Sequence, residues 1–287
     1  MRAELVAILV GVVRIVTDST AAIPAADQQA MAITVVPLNV HFGDQVFRDG
    51  IDLSEAEFFT RLKASPRLPT TSQPSVGAFE EVFRPLREAG DEVLSVHLSA
   101  KLSGTFGAAR MAADAVDPEH ITVVDSGTVA MAMGFLVLEA ARLARQGAPR
   151  AAITQRVEHL LPRARVICTI DTLTYLERGG RIGRAQALLG ALLNVKPLLG
   201  VTDGEVLPLG RARSRAQALD RLVEILQRDG KLSHLAVLHG GAENDALKLR
   251  ERVASRYPEL TIPLAEIGPV IGTHTGPGVI GFTYLTA

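Results

Sequence analysis

Three times in its first half this chain runs through a short apolar stretch, stops on hydroxyl and carboxyl side chains, and moves on. Val12 to Val16 ends at Thr17-Asp18-Ser19-Thr20, Glu92 to Leu98 delivers Ser99, and Ile121 to Val124 ends at Asp125-Ser126-Gly127-Thr128. Apolar runs without alternation are what strands covered on both faces require, as in a parallel sheet. Helical patterns separate them. Val76 to Ala89 repeats Phe79, Val82, Phe83 and Leu86 at helical spacing and stops at Gly90; an Ala-rich helix runs from Ser103 to about Ala115; another spans about Val129 to Gln146 and stops at Gly147. Alternation of this kind predicts a mostly parallel sheet with helices on both faces, and such sheets bind ligands at the carboxyl ends of their strands.

One loop in this half carries hydroxyls without charge. Pro69-Thr70-Thr71-Ser72-Gln73-Pro74-Ser75 is held extended by its two prolines, and Ser75 is placed to cap the next helix. Three other stretches share its character: Ser99 to Thr105, Arg178-Gly179-Gly180-Arg181-Ile182, and Gly272 to Gly278. Ser103-Gly104-Thr105 adds backbone N–H groups at a helix start, with Ser103 as the expected N-cap, a natural place for a carboxylate or phosphate. Between these stretches, Ile33 to Phe42 reads as a strand interrupted by Pro37, Gly43 to Gly50 as a turn-rich excursion, and Ser54-Glu-Ala-Glu57 as a capping box. Pro149 is expected at the first position of a further helix.

From about Arg165 the pattern changes. Val166 to Ile170 is a strand, Asp171 to Leu176 a short helical turn, and Ala185 to Leu193 small and apolar enough to pack tightly. Leu198 to Val201 and Glu205 to Leu209 flank Thr202-Asp203-Gly204, a hairpin signal. Helices over Ser214 to Arg228 and Ala242 to Arg256 alternate with strands over Leu235 to Leu238 and Leu260 to Ile267, and Gly278 to Leu285 is expected to close the sheet. The expected fold is therefore α/β with two domains: an N-terminal Rossmann-like parallel-sheet domain over 12–163 and a C-terminal α+β domain with a mixed sheet over 164–287. At 287 residues the chain exceeds the usual single-domain size, which agrees.

Composition removes several classes of function. With 30 basic and 31 acidic residues the net charge is −1, so there is no field to steer nucleic acid or an anionic membrane. Cys168 is the single cysteine, which excludes an internal disulfide and a multi-thiolate metal site, fits a reducing compartment, and reads as a small core residue. The apolar run Leu5 to Val13 is shorter than the roughly 20 residues that span a bilayer, so no integral membrane segment is expected there. Residues 1–11 are expected to be an extension, and the location cytoplasmic. Gly276-Pro277-Gly278-Val279-Ile280-Gly281 spells a dinucleotide fingerprint, but no helix and acidic residue can follow it. The seven histidines show no metal-ligand spacing, and no cofactor is expected. Ser99 and His274 form a conceivable nucleophile and base for a hydrolase or acyl-transfer enzyme, without an orienting acid.

In order along the chain stand Thr17-Asp18-Ser19-Thr20, Thr71-Ser72-Gln73-Pro74-Ser75, Leu102-Ser103-Gly104-Thr105, Val124-Asp125-Ser126, Gly179-Gly180-Arg181-Ile182, Asn194-Val-Lys-Pro197 and His274-Thr275-Gly276-Pro277-Gly278. This series resembles the DegV family of fatty-acid-binding proteins over residues 12 to 287. The resemblance implies two α/β domains that enclose one long-chain fatty acid, with the carboxyl group held by hydroxyls, and presentation of that acid to a separate fatty acid kinase that makes acyl phosphate for phospholipid synthesis. By motif match it assigns the carboxylate to Thr71 and Ser99, with His274 and Arg181 in support from the second domain and Ser72, Ser103 and Gly276 beside them. Leu209-Gly210-Arg211-Ala212-Arg213-Ser214-Arg215 concentrates arginines at a helix start, where positive charge opposes the macrodipole. A carrier that hands its ligand to a kinase needs a docking surface, and Arg211 and Arg213 are the expected contacts.

Overall fold

The computed structural model describes residues 11–189 and 195–287. Residues 1–10 of the expected extension, residues 190–193 of the expected tight segment and Asn194 of the Asn194-Val-Lys-Pro197 motif lie outside the described residues. The first half runs β1 (Val13–Asp18), α1 (Ala25–Ala30), β2 (Thr34–Val36), β3 (Asn39–Phe42), β4 (Gln45–Arg48), α2 (Glu55–Ala64), β5 (Thr70–Ser72) and α3 (Val76–Glu88). It continues through β6 (Glu92–His97), α4 (Thr105–Val116), β7 (Ile121–Asp125), α5 (Met131–Arg145) and α6 (Arg150–Leu160). The second half runs β8 (Ala164–Thr169), α7 (Thr174–Arg178), β9 (Lys196–Thr202), β10 (Glu205–Ala212), α8 (Arg215–Arg228) and β11 (Leu232–His239). It ends with α9 (Glu243–Ala254), β12 (Leu264–Glu266), α10 (Pro269–Thr275) and β13 (Ile280–Thr286).

Strands β2, β1, β6 and β7 form a four-stranded sheet in that order, every neighbour parallel. Its runs are apolar on both faces because both are covered: α3 and α4 pack Phe79, Phe83, Ala109 and Ala112 against one, and α5 covers the other. The larger sheet has the order β10-β9-β8-β13-β11-β12, antiparallel except for β11 with β12, and α8 and α9 close its outer face. A small antiparallel sheet, β4-β3-β5, carries the hydroxyl loop. Every residue of α5 from Met131 to Val137 is buried, because this helix lies between the two large sheets, against β1 on one side and β8 and β13 on the other.

The expected α/β class, a parallel-sheet domain followed by a mixed-sheet one, is the fold observed. Several local expectations also match. Ser54 and Glu57 form the reciprocal capping box at α2, and Asp203 and Gly204 take φ of +51° and +79° in the β9–β10 turn, which a two-residue hairpin of this hand needs. Others are corrected. Ile33 to Phe42 is two strands in different sheets, because Pro37 lacks the N–H a continuous ladder needs and the chain leaves the parallel sheet there. Ser103 is not the cap of α4: Gly104 occupies that position, and the Ser103 hydroxyl accepts from Thr105 N at 3.3 Å. Pro149 is extended, at ψ 148°, and stands one residue before the first turn of α6. Leu260 to Ile267 shortens to the edge strand β12, and Gly278 to Leu285 yields β13, which lies in the middle of its sheet between β8 and β11.

Candidate functional site

Between the inner face of the six-stranded sheet, the strand-end loops of the parallel sheet and α10 lies a cavity of about 360 Å³. Its apolar wall follows from strand periodicity. Val166, Cys168 and Ile170 line it from β8 and the residue after it, Leu199 and Val201 from β9, and Val206 from β10. Alternate residues of a strand share a face, and here Val166 pairs with Val201, which pairs with Val206, so the three strands present one continuous apolar row. Helix α10 adds Val270, Ile271, His274 and Thr275, a single helical face. Leu98, Val129 and Ala130 come from the strand ends of the parallel sheet.

The polar groups gather where β5 meets α10. Thr71 Oγ1 and His274 Nε2 are 2.8 Å apart, although the residues are separated by 203 positions. Burial, and to a lesser degree the nearby Arg181 guanidinium, push the His274 imidazole down to about 4, so the ring is neutral at pH 7. Its Nδ1 atom is buried and has no hydrogen-bond partner among the described residues. Arg181 Nε donates to the Leu102 carbonyl at 3.0 Å and Nη1 to the Gly179 carbonyl at 2.7 Å, which tie the loop after α7 to the loop before α4 and leave the guanidinium edge on the cavity wall. The structure therefore brings Thr71, His274 and Arg181 together on the wall of a mainly apolar space.

The remaining expected residues divide. Ser72 and Ser103 line the same cavity; Ser72 Oγ lies 2.9 Å from His41 Nε2, and Ser103 Oγ 2.8 Å from Thr105 Oγ1. Ser99 stands apart from the lining. Its hydroxyl donates to the Gly204 carbonyl at 2.8 Å and accepts from Lys101 N, so it fastens the β9–β10 turn to the end of β6. This commitment also breaks the pairing of Ser99 with His274 as nucleophile and base, since the ring pairs with Thr71. Gly276 ends α10 at φ +73°, with the Tyr175 ring where a Cβ would stand, and is not a lining residue. Arg211 and Arg213 are exposed on β10 and just beyond it, away from the cavity, while Arg215 is drawn into ion pairing with Asp245 at 2.6 Å.

Three features escaped the sequence reading. Cys168, expected as core filler, lines the cavity, and burial pushes its thiol up to about 12. Gln73 and Thr275 line it too. Asp18, in the polar stretch expected at the end of the first strand, accepts from Thr20 N, Leu98 N and the Thr20 hydroxyl and lies 3.0 Å from His97 Nδ1, whose other nitrogen meets Ser95 Oγ at 2.7 Å. The Asp18, His97 and Ser95 side chains are wholly buried, so this chain of polar groups fixes the end of β6 and has no access to a substrate. Among the described residues no cluster of His, Cys, Asp or Glu could hold a metal ion, and no helix is long and apolar enough to cross a membrane.

Fold and cavity together describe an α/β protein with a mainly apolar cavity that carries a cluster of polar groups. The chain belongs to the DegV family, whose sequence model, described as an uncharacterised protein of that family, matches residues 12–287. It is 36% identical to protein DegV of Bacillus subtilis over 276 residues, which cover 95% of this chain and 98% of that one. It is 40% identical to a DegV domain-containing protein of Deinococcus radiodurans over 275 residues, covering 94% and 96%. Among solved structures it is similar to a fatty-acid-binding DegV family protein of Thermus thermophilus, at 36% identity and a TM-score of 0.89 over 96% of this chain and 100% of that one. It is likewise similar, at 27% identity and a TM-score of 0.86, to a stearic-acid-binding protein of Eubacterium ventriosum, over 95% and 98% of the two chains.

Proposed function

We propose that this protein binds one long-chain fatty acid in the cavity, with the carboxyl group at Thr71, His274 and Arg181 and the acyl chain against β8, β9 and β10. The observation that carries this reading is the placement of the Thr71–His274 pair and the Arg181 guanidinium on the wall of a space whose lining is mainly apolar. A ligand that is apolar along its length and anionic at one tip matches that distribution. Burying about 14 methylenes at roughly 0.8 kcal/mol each gives on the order of 10 kcal/mol before association costs, so the polar end orients more than it drives. With Nε2 protonated, the neutral ring donates to Thr71 and turns the Thr71 proton toward the ligand; Arg181 supplies the positive charge. The related structures described as fatty-acid-binding support a fatty acid as the ligand. Ser99 acts here by holding the β9–β10 turn beside the site. Mass spectrometry of acyl species released from denatured protein tests the reading. A C14 to C18 acid is expected, and protein from lipid-replete cells that releases none, and gains no thermal stability from added palmitate, overturns it.

We further propose that the protein is a carrier and not an enzyme, that it works in the cytoplasm, and that it presents its acid to a fatty acid kinase. Arg211 is exposed on the edge strand β10 of the large sheet and Arg213 just beyond it, where an acidic partner surface can reach them. Reversing both charges is expected to abolish acyl-phosphate formation in a reconstituted assay and to leave fatty acid binding unchanged; survival of both activities refutes the docking assignment. The division into units at 12–163 and 164–287 belongs to the same proposal. It is supported by the position of the four-stranded sheet entirely before that boundary and of the six-stranded sheet entirely after it.

A further inference from the structure

Asp49 is a buried carboxyl that the binding site does not use. It follows β4, is 3% exposed, and faces the start of α10. That helix begins with Gly268 at its N-cap, which has no side chain to offer, and Pro269 at its first position, which has no N–H. Val270 N is thus the first amide in need of an acceptor, and Asp49 Oδ1 stands 3.5 Å from it, across 221 residues of sequence. The fit is close: a Cβ on Gly268 would fall 2.7 Å from the same oxygen.

The contact closes a ring. Asp49 N donates to the Leu38 carbonyl at 2.9 Å; two residues on, Val40 pairs with Thr71; Thr71 meets His274; and His274 lies one turn along α10 from Val270. The small sheet and α10 are therefore joined at two points, Thr71 with His274 and Asp49 with Val270. One polar contact lets a short helix pivot, whereas two fix its direction. We propose that Asp49 is a positioning residue for the head-group end of the cavity, capping α10 from the small sheet so that His274 is held against Thr71. This rests on the reading that a carboxylate binds there.

What α10 needs from this carboxyl is an acceptor, and its charge is a cost. Burial raises Asp49 to about 6; the Ser19 hydroxyl and Val270 amide oppose the rise, while Glu55 on α2 and Asp18 at the end of β1 add to it. Glu266 on β12 shares the neighbouring cleft with Asp49 and Glu55, and Gly268 brings no side chain to it. Ionised Asp49 is thus a cost to the fold, and Asn, which keeps the acceptor oxygen without the charge, is the conservative replacement.

The experiment compares wild type, Asp49→Ala, Asp49→Asn and Gly268→Ala in two ways. In ligand-free protein, the pH titration of the His274 ring is followed by NMR. In stripped protein, palmitate and hexadecanol affinities are measured side by side. Asp49→Ala and Gly268→Ala are expected to move the His274 titration up from about 4 toward the ordinary 6.5, as the ring leaves its buried place. They should weaken palmitate by roughly 10-fold with hexadecanol changed by less than about 2-fold. Asp49→Asn should keep the wild-type titration and the wild-type preference for the acid. An unchanged His274 titration in Asp49→Ala, equal weakening of acid and alcohol, or failure of Asn to restore either readout overturns the proposal. If Asp49→Ala does not fold, Gly268→Ala and Asp49→Asn decide it alone. Should wild type bind palmitate no better than hexadecanol, the head-group reading fails, and the ligand-free titration still judges Asp49.

Discussion

The parallel sheet and the mixed sheet contribute to the same cavity in opposite ways. The parallel sheet meets it end-on: Thr20, Leu98 and Ala130 follow the carboxyl ends of β1, β6 and β7, where backbone and hydroxyl groups are free of the ladder. The mixed sheet meets it face-on, through Val166, Cys168, Leu199 and Val201, whose side chains alternate away from the helices behind. Ends of strands provide placed polar groups, and faces provide apolar area. A ligand with a small polar tip and a long apolar body is accommodated by turning one sheet about relative to the other, with α10 and β5 joining the two surfaces.

Four tests bear on this contrast, in descending order of expected effect. Filling the face should be worst for the ligand: Val166→Phe is expected to lower palmitate affinity by more than about 100-fold while costing the fold about 1–3 kcal/mol of overpacking, read by calorimetry and denaturant titration. Retention of wild-type affinity would mean that the acyl chain lies elsewhere. Changing the polar end should be milder and selective. Thr71→Ala removes one hydrogen bond to a charged group, about 1.5–3 kcal/mol for palmitate and less for hexadecanol, whose hydroxyl is neutral.

The third test uses protons. His274 is held well below its ordinary value, so its contribution to stability is complete above pH 6.5 and is lost as pH falls toward 4. Asp49, raised to about 6, has the opposite sign: its cost is absent below pH 4 and grows as pH rises through 6. The two oppose each other over the same interval, so Asp49→Asn is expected to steepen the loss of stability between pH 6.5 and 4 and to raise stability at pH 7. A carboxylate bound at the ring favours imidazolium, so palmitate binding at pH 5 should take up protons, measured in buffers of different ionisation enthalpy. The smallest effect concerns Cys168. Its thiol is buried and held at about 12, so labelling is slow, and bound palmitate should slow it further, by about 10-fold at saturation, because opening without ligand release no longer exposes it.

What sequence could and could not foretell follows the distance over which each feature is decided. Ser54 with Glu57, Asp203 with Gly204, and the apolar runs of β1, β6 and β7 are settled within a few residues, and they came out as read. Thr71, Arg181 and His274 could be singled out by motif, but their convergence depends on α10 crossing the small sheet, which no spacing encodes. Asp49 lay in a stretch that looked like a turn and nothing more; its partner is 221 residues away. Ser99 depends on distance in the same way, since a serine at a strand end can serve a ligand or another loop with equal ease, and its bond to the Gly204 carbonyl spans 105 positions. Ile33 to Phe42 misled because Pro37 can mark either a bulge or a departure, and here the next residues pair with β5 in another sheet.

The placement of β13 has a consequence for how the chain is made. β8, β9 and β10 can form a meander as soon as they are synthesised, and β11 can pair with β12, but among the described residues no strand pairing joins these two blocks directly. β13 joins them, paired with β8 on one side and β11 on the other. Until it emerges from the ribosome the apolar row of β8 to β10 has no completed sheet around it, so the cavity is among the last parts of the molecule to take shape. A nascent chain arrested before residue 280 should be sensitive to protease throughout its second half while its parallel sheet is already resistant.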